Sequence, residues 1–97
     1  MDIARITKPD PGTLERLETE LLRLVAERGP DKTTCPSEPA RSIGGSAGEQ
    51  WGALMPAVRR IAVSLAKQGR VVIMRKGKPA DPDDFRGVYR LASARQD

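Results

Sequence analysis

Histidine is absent from this chain, and cysteine occurs once, as Cys35. Without histidine there can be no His-based zinc site and no Ser-His triad. A single cysteine cannot close an internal disulfide and gives no sign of an oxidising compartment. Aromatic residues are scarce: Trp51, Phe85 and Tyr89 are all there are. The core must therefore be mostly aliphatic. No apolar run approaches the roughly 20 residues that a membrane-spanning helix needs. The opening MDIARITKPDPG lacks the apolar stretch of a secretory signal. A cytoplasmic location and no membrane partner are the expectation. Walker loops and dinucleotide fingerprints are missing too, since Ile43-Gly44-Gly45-Ser46 has neither the spacing nor the preceding strand. Ser37-Glu38 has no accompanying base or oxyanion arrangement. These gaps point away from an enzyme and from a metal or cofactor site.

The 97 residues suit one domain, 1–97. A chain of this length buries about two-thirds of its unfolded surface. Its net charge of +4 is unevenly spread. Residues 1–50 hold seven Lys/Arg against nine Asp/Glu, a balance of −2. Residues 51–97 hold ten against four, a balance of +6. An anionic partner would meet the second half; the plainer reading is a solvated surface.

Residues 1–12 read as a lead-in, because Pro9, Pro11 and Gly12 interrupt it. Thr13 can cap a first helix over 14–28, where Leu14, Leu17, Leu21, Leu24 and Val25 recur at helical spacing. Gly29-Pro30 stops it. Thr33-Thr34-Cys35 can form a short strand. Pro36 suits the first position of a second helix over 36–43, with Ala40 and Ile43 inward. Ser46-Ala47-Gly48-Glu49 has the form of a capping box and opens a third helical region, about 49–68. Pro56 implies either a short helix at 49–54 before a main helix at 56–68, or one kinked helix. Val71-Val72-Ile73-Met74 and Val88-Tyr89-Arg90-Leu91 read as strands, with turn chemistry at Arg75-Lys76-Gly77-Lys78-Pro79. Residues 92–97 read as a flexible tail.

The fold expected is α+β and mainly helical: a winged helix-turn-helix of three helices and a C-terminal β-hairpin wing. Certain stretches also resemble a small bacterial family known only as a domain of unknown function with a winged-helix-like fold. They are Thr34-Cys35-Pro36-Ser37-Glu38 with Ala40-Arg41, and Trp51 with Leu54-Met55-Pro56-Ala57-Val58-Arg59. Leu65, Gly69, Arg75-Lys76-Gly77-Lys78-Pro79, Asp81-Pro82 and Arg86-Gly87 complete them. The likeness spans about residues 14–91. It implies the fold and a bacterial origin, and no activity.

In such a module the third helix enters the major groove of double-stranded DNA. Arg59, Arg60 and Lys67 are the candidate contacts on it. Arg75, Lys76 and Lys78 on the wing, with Arg41 on the second helix, would meet phosphates. The competing reading pairs Arg59 with a carboxylate such as Glu38 and leaves the wing as a solvated turn. Trp51 and Met55 are expected in the core. Cys35 is expected to cap or pack at a helix start rather than to act as a redox thiol. Asp81, Asp83 and Asp84 are expected to stay solvated or offset Arg86 and Lys78 rather than bind a cation. The leading expectation is thus a regulatory DNA-binding module. The alternative is a protein-interaction module that binds no nucleic acid, since fold does not fix function.

Overall fold

Leu17, Leu21 and Val25 lie one helical turn apart and become the inward stripe of helix α1, Pro11–Arg28. Leu14 and Leu22 pack beside them. A computed structural model describes residues 11–29, 31–44 and 51–94. The helix takes in Pro11 and Gly12, which sequence assigned to the lead-in, so Thr13 sits within its first turn instead of capping it. Proline is tolerated there because the first-turn N–H groups lack helical partners anyway. At the other end Gly29 adopts φ +79° and donates its N–H to Val25 O at 3.0 Å, a left-handed glycine stop.

Thr34 then exchanges both backbone hydrogen bonds with Leu91, at 2.7 and 2.9 Å. Helix α2, Ser37–Gly44, follows, burying Pro39 and Ala40. The capping box Ser46–Glu49 lies outside the described residues. A helical turn at 51–52 precedes α3, Met55–Lys67. Pro56 stands in the first turn of α3, which settles the alternative: the main helix starts there and is not kinked. Its inward face is Ala57, Val58, Ala62 and Leu65. Gly69 closes it at φ +75°, with Gly69 N–H to Ala66 O at 3.0 Å and Arg70 N–H to Leu65 O at 2.9 Å. Those two bonds are the pair that defines a Schellman ending.

The described sheet is antiparallel, in the order β2-β1-β3, with β1 Val71–Arg75, β2 Lys78–Pro79 and β3 Arg90–Ser93. Val72 pairs with Ala92 and Ile73 with Leu91. Lys76 at φ 52° and Gly77 at φ 80° join β1 to β2, matching the two-residue type I′ turn that suits a twisted hairpin. Sequence placed the last strand at 88–91 and a tail from 92. The strand instead begins at Arg90, because Gly87 at φ +82° breaks the extended run and leaves Val88 82% exposed. Ala92 and Ser93 belong to the sheet. The fold is α+β: among the described residues α1 packs on β3 and α3 on β1, α2 packs against both of those helices, and Leu17, Leu21, Val58, Leu65, Ile73 and Leu91 share one core. Each such side chain stabilises by about 1.5–3 kcal/mol through burial. No helix among the described residues is long and apolar enough to cross a membrane.

Candidate nucleic-acid interface

The cations singled out from sequence divide by what holds them. Arg59 turns toward the loop between β2 and β3. Its Nη2 donates to Phe85 O at 2.8 Å, and its guanidinium lies 3.9 Å from the Phe85 ring centre and 5.8 Å from that of Tyr89. The two rings meet edge to face at 5.2 Å. Cation–π contact and a carbonyl bond thus fasten the loop to α3. Glu38 takes a different arginine from the one the competing reading gave it: Arg28 reaches it at 2.6 Å. Lys67 pairs with Asp83 at 2.7 Å. Arg41 stacks 4.7 Å above the ring of Trp51, which is half-buried against the core.

Arg60 is exposed on α3, beside Glu15 and Glu18 of α1 along a shallow groove. Lys76 and Lys78 are exposed on the hairpin. Arg75 Nη1 donates to Val88 O at 2.6 Å. Arg90, which sequence reading passed over as an ordinary strand residue, donates Nε to Thr33 Oγ1 at 2.5 Å and Nη2 to Thr33 O at 3.2 Å. Arg75 and Arg90 come from neighbouring strands and line one hollow with Lys76. No local sequence pattern signals that meeting.

Two carboxylates tie α1 to α2. Glu38 Oε2 accepts from Cys35 N–H at 3.0 Å and from the Thr34 hydroxyl, while Glu38 N–H donates to Cys35 O at 2.9 Å. This is half of a capping box: the Glu38 carboxylate reaches back to the Cys35 N–H, while the Cys35 thiol does not cap the Glu38 N–H, which bonds the Cys35 carbonyl instead. Cys35 Sγ lies 3.0 Å from Ser37 Oγ, consistent with the expected packing at a helix start. The Thr34 hydrogen bond, aided by the Cys35 amide and the fields of Arg28 and Arg90, lowers the Glu38 carboxyl below its ordinary value against the effect of burial. Glu20 is lowered to about 2, chiefly by hydrogen bonds from Arg23 and then from Ser42 on α2. Burial pushes Tyr89 up to about 12, and its hydroxyl has no hydrogen-bond partner among the described residues.

Asp81 Oδ1 accepts from Asp83 N–H at 2.9 Å, so the aspartates shape a turn. Among the described residues no three His, Cys, Asp or Glu side chains converge as a metal site. A second, apolar hollow of about 380 Å³ lies between Cys35, Pro36 and Met55 on one side and Gly87, Val88 and Tyr89 on the other.

A family model described as "Protein of unknown function (DUF3253)" matches residues 14–94. It spans the whole stretch, about residues 14–91, in which the sequence resembled such a family. No curated protein matches the chain.

Proposed function

Because the chain belongs to this family of unknown function, kinship supplies no activity, and we propose from its own side chains that it is a winged helix-turn-helix module binding double-stranded DNA. The observation that carries this reading is the hairpin. Arg75, Lys76 and Lys78 stand there with no carboxylate in ion-pair contact among the described residues, whereas Arg23, Arg28, Lys67 and Arg70 each have one. Unneutralised cations on a turn suit backbone phosphates. The element order supports the winged description: helix, the Thr34–Leu91 bridge, two helices, then antiparallel strands.

In this reading Arg60 on α3 and Lys76 and Lys78 on the hairpin make the contacts. Arg59 serves by holding the loop from residue 80 to 89, since its guanidinium is already engaged by Phe85. Lys67 and Arg41 reach DNA only by leaving Asp83 and Trp51. Recognition therefore leans on phosphates more than on base edges. The test is fluorescence anisotropy with a labelled random duplex of about 20 base pairs across a salt series, where counterion release makes phosphate-led affinity fall steeply with salt. Replacing Arg60, Lys76 and Lys78 together by glutamine should abolish binding and leave the circular dichroism unchanged. Unaltered affinity in that variant sinks the proposed surface.

One observation favours a second reading, a protein-docking module. Val88, 82% exposed, stands at the mouth of the apolar hollow by Cys35, Met55 and Tyr89, and exposed apolar surface beside a hollow marks partner sites. Absence of duplex binding even at low salt would move this reading to the front.

A further inference from the structure

We propose that the hollow between the β1–β2 turn and the start of β3 is an anion site for a phosphate group. Its volume is about 410 Å³, and Thr33, Arg75, Lys76 and Arg90 line it together with Met74 and Tyr89. Cavities of roughly 300–1,000 Å³ are the usual size for small-ligand sites, so a phosphate fits with part of its ester group. Three of the lining residues are cationic and none is acidic.

The arginines are anchored by neutral oxygens. Arg75 gives one N–H to Val88 O, and Arg90 gives two to Thr33. Each guanidinium keeps donors in hand, and its plane is fixed before any ligand arrives. Fixed, planar donors suit the paired oxygens of phosphate. Arg75 lies against Gly87, where a Cβ would stand 3.4 Å from its Nη1. Lys76 is held at the rim by the left-handed turn, φ 52°. The Glu38 carboxylate feels Arg90 but is bonded to Arg28, Thr34 and Cys35.

The site goes beyond duplex binding, for both a nucleic-acid backbone and a free phosphorylated molecule offer a phosphate. The experiment titrates the full chain with sodium phosphate, and separately with short duplex DNA. Ionic strength is fixed with chloride, and backbone amide and arginine Nε signals are read by NMR. Saturable phosphate-dependent shifts are expected at Lys76, Gly77 and the Nε of Arg75 and Arg90. Lys76→Asn removes the charge at a backbone geometry asparagine tolerates well, so it should fold; loss of one charge-assisted contact should weaken phosphate about tenfold. Lys76→Arg should restore it. Shifts that never saturate, or equal affinity in Lys76→Asn, overturn the site. If duplex displaces phosphate, the backbone diester is a ligand. If phosphate saturates while duplex fails to bind, the site stands for free phosphorylated molecules and the duplex reading falls. Duplex binding without any phosphate saturation overturns the site and spares the duplex reading.

Discussion

The face shared by α1 and α2 and the hairpin beyond β1 use the same residue, arginine, to opposite electrostatic effect. On these helices arginine meets carboxylate. Within α1 Arg23 bridges Glu20 and Glu27; between α1 and α2 Glu20 takes the Ser42 hydroxyl and Arg28 meets Glu38. The charges cancel locally and what remains is a set of ties within α1 and from α1 to α2. At the hairpin Arg75 and Arg90 meet neutral oxygens of Val88 and Thr33. A carbonyl fixes a guanidinium's direction without cancelling its charge, so the positive field persists outward. The charge balance of a region therefore says less about ligand binding than the kind of acceptor its arginines use.

The largest blow to this contrast should come from Leu91→Ala. Leu91 is fully buried and its backbone joins Thr34 on one side, while Ile73 is its partner on the other. A loss of about 2–5 kcal/mol is expected in urea unfolding, carrying both regions down together. Next is Glu38→Ala, which leaves the Thr34 hydroxyl and Cys35 N–H without their acceptor and should cost about 1–3 kcal/mol. It should leave phosphate binding at the hairpin in place.

Acid should separate the two regions further. Glu38 and Glu20 titrate lower in the folded chain than their ordinary 4.5. The unfolded chain therefore takes up protons first as pH falls. Their stabilisation is complete above about 4.5 and is lost as pH drops through their lowered folded values, toward about 2 for Glu20. Urea midpoints should decline over that window, and the decline should be shallower in Glu38→Gln. An identical slope would remove Glu38 from the account.

Smaller still is Gly77→Ala, expected to cost about 1–2 kcal/mol because its φ of 80° is left-handed, measurable as a lowered melting temperature. Smallest is Lys76→Asn, whose stability should stay within about 0.5 kcal/mol of the parent, since its side chain is exposed. A larger loss would mean that Lys76 holds the fold, and the contrast between ties and free charge would fail at that residue.

Sequence alone determined what depends on near neighbours along the chain. Leucine spacing specified α1, glycine after it specified the stop, and Arg75-Lys76-Gly77-Lys78 specified a turn, because helical periodicity and φ preference act over a few residues. The family likeness rested on similarly local strings. Only the tertiary structure decided which arginines are engaged and by what. Arg59 and Arg60 are adjacent in sequence, yet one lies on Phe85 and the other faces solvent. Arg90 meets Thr33 from 57 residues away, and Glu38 takes Arg28 across the loop that carries the Thr34–Leu91 bridge. Strand register is likewise non-local: it sets Arg90 opposite Met74 and Leu91 opposite Ile73. Charge is written in the sequence, but its cancellation depends on distance in space, and that is fixed only when the helices and sheet have packed.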